Sequence, residues 1–493
     1  MRIKNLDTMT GHGNVEGRKA VCGILEAGLQ AADPYYNTKK LVSIEDGKIT
    51  IGCKDFEPID SPRVGKDTYN LKKDIDRIFV FGAGKGIQRV GLALEEVLGD
   101  YLTGGHVIAK HGDEHILNKI KVSYGGHPIP DESGVNGCKE MVQTINSLDL
   151  TDRDLVFTLI GNGASSLLTL PIDGISLDAV KEMVKILQIE KGLDSGMLSI
   201  VRNQVDKIKG GRITRMLTPA KMIHILAIDC NYGNTGIVGY KGLTEANVWL
   251  HTLPDASSPE FAQMILFENE AWDEVDESIR NHLEQADDRF ATLKYDEFER
   301  MDCRIYGIMP DNLGCIPTAM KKAEELGYSA HLINKAFFMD ASFMGKFFGN
   351  MAKLVDLEGS PFAAPCALFF TGEMIVAVGK DGGVGGRNQE FALTAATVIE
   401  NNPNIVIGSV DTDGTDGPGG FFDKEAKDQG IDALSGGIVD GFTIKEAMMK
   451  DVEVEEALKS HATSKALWDL DCGLLVTQNI SLQDIVVALV QKQ

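Results

Sequence analysis

Short apolar runs that end in glycine and give way to helical periodicity recur along this chain, and the alternation restricts its fold more than any other feature. Asp76-Arg77-Ile78-Phe79-Val80-Phe81 runs into Gly82-Ala83-Gly84-Lys85-Gly86-Ile87, and residues 105–109, 121–124, 154–160 and 222–228 repeat the pattern, with helical stretches between most of them. Strands alternating with helices imply α/β architecture with a mostly parallel sheet covered on both faces. At 493 residues the chain exceeds a single core, so two domains with a ligand cleft between them are expected. The stretch 268–301, rich in Asp, Glu and Arg, reads as a solvated helical connection. It divides a first domain over 1–267 from a smaller one over 302–493, which begins with the strand 302–308 and ends near 472–477.

The densest chemistry lies at Gly385-Gly386-Arg387-Asn388-Gln389-Glu390-Phe391, followed by Ser409-Val410-Asp411-Thr412-Asp413-Gly414-Thr415-Asp416-Gly417. Glycine lets backbone N–H groups approach an anion, a helix starting near Asn388 adds a favourable dipole, and the Arg387 fork matches phosphate oxygens. Gly386, Asn388 and Glu390 are therefore candidate phosphate- or substrate-binding positions. Asp411, Asp413 and Asp416 supply hard oxygens suited to magnesium. An Asp/Gly turn capping a strand is the simpler account. The apolar run 405–410 favours a site, because ligands gather beyond the carboxyl ends of parallel strands. An EF-hand is excluded: the third acid falls one position late, and Phe422 stands where a bidentate glutamate would be.

Two earlier turns also sit between strand and helix. In Gly82-Ala83-Gly84-Lys85-Gly86-Ile87 the third glycine of a dinucleotide loop is replaced by Ile87, no ribose-binding acid follows, and the Ser/Thr of a Walker loop is missing. What remains is Gly84 as a candidate phosphate- or substrate-binding position and a lysine at the mouth of a helix, which is disfavoured there unless an anion is present or the side chain reaches solvent. Gly161-Asn162-Gly163-Ala164-Ser165-Ser166 could cradle an anion through Asn162, Gly163 and Ser165, although such turns also carry these residues for capping alone. His127, in a proline-pinned turn, reads as a structural residue more readily than as a base, and Lys209-Gly210-Gly211-Arg212 as a helix C-cap.

A formal net charge of −23 disfavours nucleic acid and anionic membranes as partners. An anionic substrate must then be met by local positive charge. Eight cysteines without metal-like spacing, Cys22, Cys138, Cys230 and Cys366 among them, read as reduced core thiols. No signal core or membrane-length apolar run is present, so a cytoplasmic location is expected.

Taken in order, these loops resemble the class II glycerate 2-kinases, whose C-terminal part is the MOFRL domain. The similarity runs from Leu6 to about Leu489 and includes Ala31-Ala32-Asp33-Pro34, Gly126-His127-Pro128-Ile129-Pro130-Asp131-Glu132, Val201-Arg202 and Ala323-Glu324-Glu325-Leu326-Gly327-Tyr328. The resemblance implies a Rossmann-like N-terminal domain, a smaller MOFRL-type domain and an active site in the cleft. It also implies transfer of the γ-phosphoryl of ATP to the 2-hydroxyl of D-glycerate with Mg2+. Its catalytic lysine and arginine fall on Lys85 and Arg387. A homodimer is carried as an open reading of the assembly.

This chain departs from the family pattern at 161–166, at Asn203-Gln204 where a basic pair is usual, at 229–240 where only Asp229 has an evident counterpart, and at 461–467. Asp229 is a candidate base by its place after a strand. The altered loops leave open a kinase for a different hydroxylated molecule or a non-catalytic Mg-nucleotide-binding homologue; a nicotinamide dehydrogenase is more distant.

Overall fold

The structure is a computed structural model and describes residues 1–492 apart from 128, 192, 194, 229–238, 310–313, 379–381, 418–421, 478 and 481–482. Its chain divides into two units, Pro34–Pro310 and a discontinuous unit of Met1–Asp33 with Asp311–Gln493.

In the first unit a small antiparallel sheet joins β1 (Val42–Glu45), β2 (Lys48–Ile51) and β3 (Asp67–Asn70), ahead of the first strand expected from the sequence. Asp46 and Gly47 turn the first hairpin with φ of 50° and 71°, the left-handed pair a tight hairpin needs. The main sheet contains β4 (Arg77–Ala83), β5 (Leu102–Lys110), β6 (Lys121–Gly125), β7 (Asp154–Gly161), β8 (Lys221–Ala227) and β9 (Cys303–Gly307). All pairings are parallel, in the order β6-β5-β4-β7-β8-β9. The chain builds outward from β4 to β6, then restarts at β7 on the other side and builds outward to β9. This is the Rossmann order, and it opens a crevice where the loops after β4 and β7 diverge. Phe79, Phe81, Val156, Leu226 and Ile305 share one core with Cys138 and Met141.

The second unit has a six-stranded sheet of β10 (Ser329–Asp340), β11 (Cys366–Ile375), β12 (Ile405–Asp411), β13 (Gly436–Asp440), β14 (Gly473–Leu474) and β15 (Asp484–Val490), ordered β10-β11-β15-β12-β13-β14. Only β10 and β11 pair in parallel. The parallel-strand argument for the aspartates after residue 410 is thereby corrected, since both neighbours of β12 run against it. Central β15, which lies beyond the last strand expected near 472–477, is buried on both faces. Ile485, Val487 and Leu489 point into one core, and Val486, Ala488 and Val490 into the other.

The expected domain boundaries also change. The strand at 303–307 pairs with β8 and completes the first sheet rather than opening the second. The segment 268–301 is no solvated connection, because Ala271, Val275, Ile279 and Leu283 sink into one core of the first unit and Leu293 and Phe298 into another. The helix Val15–Ala31 belongs to the second unit: Val21, Leu25 and Leu29 lie against Val406, Ile485 and Val487. Gly28 permits that approach, since a Cβ there would come within 2.7 Å of Ile485 Cδ1.

Burial pushes the thiols of Cys22 and Cys138 up to about 12. Cys230 lies outside the described residues. No helix among them is long and apolar enough to cross a membrane.

Candidate functional site

The loops after β4 and β7 meet at the switch point of the first unit. Lys85 donates its backbone N–H to the Asn162 carbonyl at 2.8 Å. Gly84 lies at φ 151°, and a Cβ on it would come within 2.5 Å of Gly161 Cα, so two facing glycines let the backbones touch. Gly163, left-handed at φ 80°, precedes the short helix Ala164–Leu167. A Cβ on Gly163 would come within 2.8 Å of His127 Cδ2 and 3.2 Å of Lys85 Cγ. Lys85, His127 and Gly163 therefore share one spot. Half-buried Lys85 lies just ahead of helix Gln88–Leu98, at the positive end of its dipole.

The expected cradle at 161–166 is partly consumed by the protein itself. Ser166 and Leu167 donate their N–H groups to the Gly163 carbonyl at 3.1 and 3.2 Å. Ser165 Oγ is bonded to His251 Nε2 at 2.8 Å. His251 is fully buried, and burial, reinforced by Lys209 and Arg202, holds its imidazole neutral. Lys209 is not a surface charge at a helix end: its ammonium donates to Leu168 O at 2.6 Å, Thr169 Oγ1 at 2.9 Å and Asp206 Oδ2 at 2.7 Å.

In the second unit Arg387 begins helix Arg387–Ile399. Its Nε donates to Asp484 Oδ1 and Oδ2 at 3.1 and 2.9 Å, and its Nη2 to Asp411 Oδ2 at 2.7 Å. Nη1 has no partner among the described residues. Burial opposes the charge, but Asp484 and Asp411 outweigh it and hold the guanidinium protonated. Asn388 Nδ2 also donates to Asp484 Oδ1 at 2.8 Å, and its Oδ1 accepts from Ser409 Oγ at 2.6 Å. Asp484 carries no signal of its own in the sequence; the apolar run of β15 behind it is the clue.

Asp416 takes the place where a phosphate was expected at this helix N-terminus. Its carboxylate accepts the backbone N–H groups of Asn388 at 3.1 Å and Gln389 at 2.9 Å. Gly386 leaves no room for a Cβ beside it. Burial pushes Asp416 up to about 6, against the pull of Arg387. Glu390 turns away to His461 Nδ1 at 2.7 Å, and Ser464 Oγ donates to Gln389 Oε1 at 2.6 Å. The divergent stretch 461–467 thus lies directly on the retained motif.

The expected magnesium set does not form a cage. Asp411 Oδ2 is paired with Arg387 and its Oδ1 accepts Asp413 N at 3.1 Å; Asp413 Oδ1 accepts Thr415 N at 2.8 Å; Asp416 caps the helix. Among the described residues no group of three or more His, Cys, Asp or Glu is placed to hold a metal. Asp229 lies outside the described residues.

Residues 20–284 match the family described as a domain of unknown function, DUF4147, and residues 366–481 match the MOFRL family. The chain is 32% identical over 466 residues to the glycerate 2-kinase of Pyrococcus horikoshii, covering 94% of each protein. It is 29% identical over 451 residues to the D-glycerate 2-kinase of Thermotoga maritima, covering 91% of this chain and 99% of that one. The crystal structure of glycerate kinase from Thermotoga maritima superposes with a TM-score of 0.70 at 27% identity, over 96% of this chain and 99% of that chain. A nearly end-to-end match at this level, with both family segments in order, makes this chain a member of the glycerate 2-kinase family.

Proposed function

We propose that this protein is a glycerate 2-kinase that moves the γ-phosphoryl group of ATP to the 2-hydroxyl of D-glycerate, with magnesium carried on the nucleotide. The observation that carries this reading is Lys85, seated against Gly163 at the switch point of a Rossmann-ordered sheet, in a chain that matches the glycerate 2-kinase of Pyrococcus horikoshii along 94% of its length. In the transfer the acceptor oxygen forms the new P–O bond, the bond from the γ-phosphorus to its bridging oxygen breaks with that oxygen leaving on ADP, and the hydroxyl proton is released to water. Such chemistry depends on positioning and on neutralising the equatorial oxygens, without a covalent intermediate. Lys85 is proposed to neutralise charge on the transferring group. Arg387, oriented by Asp411 and Asp484, is proposed as the second cation, with Nη1 the donor left for a phosphate oxygen.

A coupled ADP-release assay with D-glycerate tests this. Lys85→Ala and Arg387→Ala are each expected to lower kcat by about 10³-fold, the scale of losing a cation in phosphoryl transfer. Full activity in both variants would remove the assigned roles. Turnover only with another member of a hydroxy-acid and polyol panel would reassign the acceptor, and Mg-nucleotide binding without any transfer would mark a non-catalytic homologue.

A further inference from the structure

Three buried cations gather behind the loop that follows β7, and they are treated very differently by the protein. Lys209 is saturated by Leu168 O, Thr169 Oγ1 and Asp206. Arg212 donates to Phe290 O, to Asn203 O at 2.6 Å and to Lys209 O at 3.0 Å. Arg202, on helix Ser195–Gln204, is only 8% exposed, yet among the described residues no hydrogen bond or ion pair engages its guanidinium. Its neighbours in sequence are satisfied: Asn203 Nδ2 donates to Val248 O and Asp255, and Gln204 Nε2 to Ser257 Oγ. A buried arginine with five unused donors carries a desolvation cost that the fold does not offset. None of its nitrogens is among the polar atoms sealed from water, so the fork opens onto reachable space.

The surroundings favour an anion there. Arg202 lies within electrostatic range of His251 and Lys209. His251 in turn holds Ser165, two residues from the Gly163 that touches Lys85. The nearby carboxylates, Asp206 and Asp255, are already committed to Lys209 and to Asn203 and Ser257. We infer that Arg202 is the binding residue for the carboxylate of the acceptor, gripping it through two parallel N–H donors and so selecting hydroxy acids over uncharged polyols. The inference rests on the glycerate kinase reading, and it names Arg202 as the residue that makes the acceptor an acid. Because the fork is planar, lysine can supply the charge without the paired geometry.

The test compares wild type with Arg202→Met and Arg202→Lys. Calorimetry with D-glycerate, in the absence of nucleotide, should show binding weakened about 10- to 100-fold by Arg202→Met, with Arg202→Lys between it and wild type. In the coupled assay the KM for D-glycerate should rise by a similar factor, the KM for ATP should stay unchanged, and the preference for D-glycerate over glycerol should narrow. The thermal midpoint of ligand-free Arg202→Met should equal or exceed that of wild type, since an unpaired buried charge has been removed; a structural arginine would lower it. Wild-type affinity for D-glycerate in Arg202→Met, a loss confined to ATP, or a marked drop in the ligand-free midpoint would each overturn the assignment. Failure of the kinase reading is separate: it shows as no ADP release by wild type, while carboxylate binding and its dependence on Arg202 are still read by calorimetry.

Discussion

Asp484 shows how much one carboxylate can organise, since it orients Arg387 through Nε and Asn388 through its amide while itself fully buried. Replacing it by asparagine keeps the shape but removes the charge that steadies the guanidinium. Asp484→Asn is expected to lower kcat about 10-fold or more through misplacement of Arg387, with a circular-dichroism spectrum like that of wild type; unchanged kcat would detach Asp484 from the site. Asp416 makes a pH-dependent contribution. Its folded value, about 6, lies above the ordinary 3.8. Its contribution to stability is therefore fully present below about pH 4 and lost as pH rises through about 6, with an upper bound of about 3 kcal/mol. Thermal midpoints followed from pH 4.5 to 7.5 should fall for wild type relative to Asp416→Asn; parallel curves would contradict the assignment.

At the scale of elements, the candidate site in the first unit is a consequence of two turns forced together. The β4 loop can touch the β7 loop because Gly84 and Gly161 both lack a Cβ, and Gly163, itself left-handed, fits against His127 and Lys85 because it has no Cβ. Gly84→Ala should cost about 2 kcal/mol or more, since it adds backbone strain to a contact with backbone that cannot move aside. Denaturant unfolding checks this, and a midpoint equal to that of wild type would show that the loops are not held so closely. The same scale explains what the chain disclosed early. The runs at 78–81 and 155–160 were legible as strands because they are apolar, short and bounded by glycine. The hairpin at 42–51 carries its own Asp46-Gly47 turn signal, but its strands are only four residues each, too short for a clear period.

For the whole molecule, the informative fact is that the second unit is built from both ends of the chain. Val21, Leu25 and Leu29 cover Val406, Ile485 and Val487, each fully buried, and burying such side chains contributes about 1.5–3 kcal/mol apiece. A fragment of residues 311–493 should therefore lack a cooperative transition in calorimetry and regain one when the first 33 residues are fused to it. A fragment of residues 34–310 should unfold cooperatively by itself. Equal cooperativity of 311–493 with and without the N-terminal helix would show that this layer is dispensable.

Sequence by itself determined the α/β class, the strand-turn-helix units, and the turns bearing Lys85 and Arg387, because hydrophobic period and glycine placement are local properties. It did not determine partners across long separations. That β9 joins β8, that β15 sits between β11 and β12, that Asp484 grips Arg387, and that Asp416 caps a helix were decided only by tertiary structure. The physical reason is that strand pairing and the choice of a carboxylate's partner depend on which buried surfaces and charges meet after collapse, and residues 97 positions apart, such as Arg387 and Asp484, leave no periodic trace of that meeting.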